Sequence, residues 1–210
     1  MPETDKAEAY RRIAEAVRSC RRCPLHKTRT NAVPGEGYLN ADVMLVGEAP
    51  GRNEDEQGRP FVGAAGQLLN ELLERAGMPR PTVYITNVVK CRPPNNRTPT
   101  DEEVAACVDY LKDEIRLVRP KVIVALGNTA GSTLFSLAGL RWRGATAERG
   151  RQVKVTIEGV SVVLLPTYHP AAALYKPDLK QSLADDISEA ARLAGRHGRG
   201  RTLLDFIDKG

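Results

Sequence analysis

The chain has 210 residues, 41% of them hydrophobic and 27% charged, enough to bury one sizeable core but not several. A formal net charge of +5 and a pI of about 9.1 favour a polyanionic partner such as nucleic acid. No apolar run approaches a membrane span, and the charged N-terminus lacks a signal-like apolar segment, so the expectation is an intracellular, cytoplasmic protein.

In chain order, KAEAYRRIAEAVRSC puts Tyr10, Ile13, Ala14 and Val17 on one helical face and runs into CRRCP, where Pro24 ends the helix. DVMLV, 42 to 46, reads as a buried strand followed by the loop GEAPGRNEDEQGRPFVG. That loop has glycines but also Glu48, Glu54, Asp55 and Glu56, and it lacks the Gly-Lys-Ser/Thr ending of a phosphate-binding loop. Four carboxylates would repel an anion; Asp55 and Glu56 read best as solvated charges. GQLLNELLERAG is an amphipathic helix with Leu68, Leu69, Leu72, Leu73 and Ala76 inward and Gly77 as its cap.

TVYITNVV is the second strand and KCRPPNNRTPT an irregular basic loop. Thr100 and Glu103 form a capping-box signature for a helix that repeats Val104, Cys107, Val108, Leu111, Ile115 and Val118 and stops before Pro120. KVIVALG is a third strand, followed by a helix from about Asn128 to Leu137. RQVKVTIEGVSVVLLPTYHP reads as a hairpin turning at Glu158-Gly159, its second arm the fourth core strand; PDLKQSLADDISEAARLAG is the last helix. This alternation predicts an α/β fold: a three-layer α/β/α sandwich around a mainly parallel four-stranded central sheet. One domain over 1–195 is expected, with a basic flexible tail over 196–210.

Ligands of such sheets bind beyond the carboxyl ends of the strands. The acidic loop, Asn87 and His169 should all meet there. Taken singly, Asn87 fits a turn residue, His169 a loop histidine and Phe61 a staple onto the core. Carboxamide, imidazole and aromatic on one predicted rim make a site the better reading.

Four cysteines, Cys20, Cys23, Cys91 and Cys107, are too few for a secreted disulfide scaffold. Cys107 alone would read as a core residue. With Cys20 and Cys23 in chelating C-x2-C spacing and no cysteine left over, a metal site is the stronger reading, and both zinc and an iron–sulfur cluster fit it.

GEAPG at 47 to 51, the GRPFVG continuation, ITNVVKCRPPNNR at 85 to 97 and HPAAAL at 169 to 174 together resemble the iron–sulfur, thermophile-associated family 4 uracil-DNA glycosylases. The resemblance runs from about Cys20 to the final helix. It implies a uracil-DNA glycosylase-like fold, removal of uracil from DNA in base excision repair, and a [4Fe–4S] cluster on Cys20, Cys23, Cys91 and Cys107. It also implies a pocket of Glu48, Ala49, Gly51, Glu54, Phe61, Asn87 and His169. Phe61 would stack on the base, Asn87 would read its N3–H and O4, and Glu54 would sit beside C5 and exclude a thymine methyl. His169 would donate to O2, and Glu48 would orient water and stabilise the cationic sugar. Better-known uracil glycosylases carry an Asp where this chain has Ala49, which has no side chain to act as a base.

Lys90, Arg92 and Arg97 are the expected DNA contacts, helped by Arg52 or Arg59. Ala173 stands where a bulky leucine usually fills the gap left by the flipped base, so Leu174 or Tyr175 is expected to take that role. The tail residues Leu203, Phe206 and Ile207 resemble a sliding-clamp-binding peptide whose leading glutamine is replaced by Gly200; a frayed terminus is the plainer reading. The expected state is a monomer, nucleoid-associated. The rival class is a non-catalytic zinc- or iron–sulfur-bearing nucleic-acid-binding module, which has no use for Asn87, His169 and the acidic loop together.

Overall fold

The computed structural model describes residues 3–195. Among them are strands β1 (Glu36–Gly37), β2 (Val43–Gly47), β3 (Tyr84–Asn87), β4 (Val122–Leu126), β5 (Val153–Ile157) and β6 (Val160–Thr167). The helices are α1 (Glu3–Arg18), α2 (Arg52–Gln57), α3 (Ala64–Arg75), α4 (Asp101–Val118), α5 (Asn128–Leu137), α6 (Ala145–Glu148), α7 (Pro170–Ala173) and α8 (Pro177–Leu193).

The sheet order is β1-β3-β2-β4-β6-β5. The four inner strands are parallel, as the alternation of elements implies. Six strands rather than four are present among the described residues, because an antiparallel strand is added at each edge. β5 is the first arm of the expected hairpin, and Glu158 and Gly159 turn it with φ of 52° and 74°, the left-handed pair that a tight hairpin turn requires. β1 is two residues long and carries no periodic signal. Its Gly37, at φ 132°, lies so close to the Val83 carbonyl that a Cβ would collide with it.

Both faces of the sheet are covered, and β2 shows how. Met44 and Val46 point into a core with Val17 of α1, Leu111 and Ile115 of α4 and Leu134 and Phe135 of α5. Val43 and Leu45 point the other way, onto Leu69, Leu72 and Leu73 of α3 and Leu183 and Ile187 of α8. Each such fully buried Leu or Ile contributes roughly 1.5–3 kcal/mol relative to exposure. The capping box forms as expected: the Glu103 N–H donates to Thr100 Oγ1 at 3.2 Å and the Thr100 N–H to Glu103 Oε2 at 2.9 Å. Gly77, at φ 71°, closes α3.

The register aligns Gly47 with Asn87 and Leu126 with Thr167, so the carboxyl ends of all four parallel strands open onto one rim. No helix among the described residues is long and apolar enough to cross a membrane. Leu203, Phe206 and Ile207 lie outside the described residues.

The acidic segment differs from its expected form. It folds as α2, and Asp55 is no solvated charge: it is 3% exposed and accepts the N–H groups of Thr30 and Asn31 at 2.9 and 3.2 Å. A carboxylate is kept there because it satisfies two otherwise unpaired backbone donors. Glu56 does lie at the surface, paired with Arg52.

Candidate active site

A cleft of about 550 Å³ opens at the rim, and Glu48, Gly51, Glu54, Phe61, Asn87 and His169 all line it. The volume falls within the range of small-molecule clefts. Glycine makes the floor possible. A Cβ on Gly47 would fall 2.5 Å from Phe61 Cζ and well inside van der Waals contact of Asn87 Oδ1, so the ring and the amide converge only over a hydrogen atom.

Asn87 ends β3 and is 2% exposed. Its Oδ1 is buried without a hydrogen-bond donor. An unpaired buried acceptor costs roughly 1–3 kcal/mol.

His169 caps the short α7, its Nδ1 accepting the Ala171 N–H at 3.1 Å. With Nδ1 as acceptor, the proton of the neutral ring sits on Nε2. Burial pushes the imidazole down from 6.5 to about 4, and Glu54 offsets this only in part. The site therefore holds a neutral hydrogen-bond donor at neutral pH. Gly127, at φ 90°, lets β4 pass close beneath the His169 Cβ, and the rings of Phe61 and His169 lie 5.7 Å apart between centroids, tilted by 30°.

The carboxylates divide their tasks. Glu54 Oε1 accepts from the Val62 and Gly63 N–H groups, both at 2.8 Å, and Oε2 from Gly51 at 3.1 Å, which ties the two ends of the loop together. Glu48 is held by the Thr129 hydroxyl at the start of α5. Ala49 lines the same cleft and packs against the core. Gly127, Asn128, Thr129 and Tyr168, none of them singled out from the sequence, are among the further residues that line it. The signal for the first three was present, since ALGNT closes the third parallel strand on the same rim.

The basic loop divides. Arg97 lines the cleft and is exposed, but Glu103 grips it through two hydrogen bonds of 2.8 and 2.7 Å. Arg92 donates to Asn96 Oδ1. Lys90 is not available to DNA. It is 1% exposed, and its Nζ donates to Glu114 Oε2 at 2.6 Å, to Thr86 Oγ1 at 2.6 Å and to the Asn87 carbonyl at 2.8 Å. The cation is spent on neutralising Glu114, which is fully buried. In the loop after α7, Leu174 is exposed and Tyr175 is 88% exposed, whereas Ala173 is buried.

All four cysteines line one small cavity between the segment after α1, the basic loop and α4. Arg29 donates to Cys91 Sγ at 3.0 Å and the Lys90 N–H to Cys107 Sγ at 3.2 Å. Burial pushes the Cys107 thiol up to about 12 and raises Cys23 and Cys91 as well. No three metal-ligating side chains among the described residues are gathered tightly enough to hold a single ion. The sulfurs share a cavity, in other words, without forming a one-metal site.

These features define an α/β/α domain with a ligand cleft at the carboxyl ends of a parallel sheet. The uracil DNA glycosylase superfamily model matches residues 34–190, and the chain belongs to that superfamily. The chain is also 48% identical to the type-4 uracil-DNA glycosylase of Sulfurisphaera tokodaii, over 89% of this chain and 86% of the relative. The type-4 enzyme of Archaeoglobus fulgidus is 47% identical over 93% and 97% of the two chains. That of Pyrobaculum aerophilum is 52% identical over 84% and 90%.

Proposed function

We propose that this chain is a DNA repair glycosylase that hydrolyses the N-glycosidic bond of uracil flipped out of DNA, leaving an abasic site. The observation that carries the reading is the buried, donorless Oδ1 of Asn87 on the floor of the cleft. Uracil offers N3–H to that oxygen and O4 to the amide nitrogen. Cytosine offers an acceptor and a donor in the reverse order, so both contacts fail together.

Flipping the base costs roughly a few kcal/mol, offset by a fitted pocket in which Phe61 supplies the stacking face. As the C1′–N1 bond breaks, negative charge collects on the base, notably at O2. The His169 Nε2–H, neutral and fixed by the Ala171 N–H, donates to that oxygen. One such donor contributes about 3–4 kcal/mol in comparable oxyanion sites. Glu48, oriented by Thr129, is the carboxylate that faces the sugar and its attacking water. Glu54 shapes the loop beside C5 through its three backbone contacts and leaves no room for the thymine methyl.

Cys20, Cys23, Cys91 and Cys107 would hold a [4Fe–4S] cluster. The shared cavity supports this, as do the N–H donors on two of the sulfurs. The group would supply structure, pinning the segment after α1 to α4 and the basic loop. DNA would be held by Arg92 and Arg97, with Leu174 or Tyr175 filling the gap left by the flipped base.

The test is excision from oligonucleotides carrying one uracil, thymine or cytosine, by iron-replete wild type, His169→Ala and Glu48→Ala. Alkali-labile breaks at uracil only, reduced about 100-fold or more in His169→Ala, are the expected result. DNA binding without excision by the wild type would assign the chain to the non-catalytic class instead.

A further inference from the structure

We propose that Arg80 is a positioning residue for base recognition: it locks Phe61 in a backbone conformation that the ring could not hold unaided. The inference rests on the reading of Phe61 as the stacking face.

Phe61 has φ 52°, in the left-handed region that a bulky L residue rarely adopts. Such a residue persists only where its surroundings over-determine it. Arg80 supplies that constraint. Its Nη1 donates to the Phe61 carbonyl at 3.0 Å and to Asn70 Oδ1 at 3.1 Å, and its Nη2 to the Pro60 carbonyl at 2.5 Å. One planar guanidinium thus grips two successive carbonyls with Nη1 and Nη2 while also reaching Asn70 and Glu36, a fixed fork that the compact ammonium of a lysine does not offer. On the following side Glu54 takes the N–H groups of Val62 and Gly63. Gly66 in α3 leaves just enough room, since a Cβ there would collide with the Phe61 carbonyl.

The guanidinium is itself aimed. Glu36 Oε1 accepts from Arg80 Nη2 at 2.8 Å, and Arg59 holds the same carboxylate through two bonds of 2.9 Å. This gives the two-residue edge strand β1 a purpose: it delivers Glu36 to Arg80. Arg80 touches neither the proposed base position nor the cysteines, and it does not line the cleft.

The test is a double-mutant cycle on the iron-replete enzyme, comparing wild type, Arg80→Met, Phe61→Ala and the double variant. Single-turnover uracil excision and free-uracil affinity are the readouts, with thermal unfolding measured alongside. Phe61→Ala is expected to weaken both, and Arg80→Met to lower excision about tenfold or more, a loss below the roughly 100-fold that a full 1 Å displacement carries. In the Phe61→Ala background, Arg80→Met should change excision by less than about twofold, the spread of independent effects. Arg80→Lys and Glu36→Gln should give intermediate losses that also vanish without the ring, and they carry the test if Arg80→Met does not fold. Equal losses in both backgrounds, or wild-type excision by Arg80→Met, would overturn the proposal and leave the stacking role of Phe61 intact. An inert Phe61→Ala would remove the stacking role, and this inference with it.

Discussion

At the residue scale, the site depends on small distances around Gly47. A single added methyl on Gly47 meets both Asn87 Oδ1 and the Phe61 ring. Gly47→Ala should therefore lower uracil excision by about 100-fold, the scale set by roughly 1 Å of misplacement, while DNA affinity measured by anisotropy stays within a small factor of wild type. His169 gives a pH prediction with a definite sign. Its folded value is about 4, below its ordinary 6.5, so between these limits the unfolded chain binds more protons than the folded one. The stabilising contribution of a neutral His169 is complete above pH 6.5 and is lost as pH falls through 4. Thermal midpoints of wild type and His169→Gln should therefore diverge at neutral pH and converge toward pH 4. A constant difference across that window would contradict the assignment. Excision should show no His169-dependent limb between pH 8 and 6.5, because the neutral donor form already dominates there.

At the level of elements, β3 and α4 are joined by a buried polar network rather than by apolar packing alone. Glu114 of α4 accepts from Lys90, Thr86 and the Gly35 N–H, and Lys90 reaches the Asn87 carbonyl. Lys90→Met leaves Glu114 buried without its cation and should cost about 3–5 kcal/mol in urea unfolding. Lys90→Met combined with Glu114→Leu should recover much of that loss. This network also shows what was legible in the sequence. The parallel strands, the α4 capping box and the hairpin at Glu158-Gly159 follow from local rules that residues such as Thr100 and Glu103 announce within a few positions. The partnership of Lys90 with Glu114 spans 24 residues and carries no local signal. In a basic loop, Lys90 reads as a DNA contact. Asp55 was misread for the same reason, since the backbone N–H groups it satisfies lie 24 and 25 residues away. The convergence of Asn87, Phe61, His169 and Glu48 on one cleft was legible because each lies at the end of a buried strand or in the segment beyond it. Thr129 and Arg80, which support them, act from separate elements.

Considered as a whole, the molecule sets a three-layer scaffold behind one rim, with the cleft on that rim and a separate cysteine cavity. Lys90 lines the cysteine cavity and links it to the cleft residue Asn87, through its N–H to Cys107 and its ammonium to the Asn87 carbonyl. With the proposed cluster on the four cysteines, Cys107→Ser should lose visible absorption and iron content and lower the unfolding midpoint. The +5 charge is modest, so DNA affinity should fall with salt on a shallow slope, as few phosphates are neutralised. The proposed selector of uracil is the Asn87 amide. The most direct measurement is single-turnover excision of uracil and cytosine from otherwise identical single-stranded oligonucleotides by wild type and Asn87→Ala. Wild type should release uracil and leave cytosine, with Asn87→Ala slowed on uracil by about 100-fold, on the scale of losing a paired polar contact in a closed site. Equal release of both bases by wild type, or undiminished uracil release by Asn87→Ala, would contradict it.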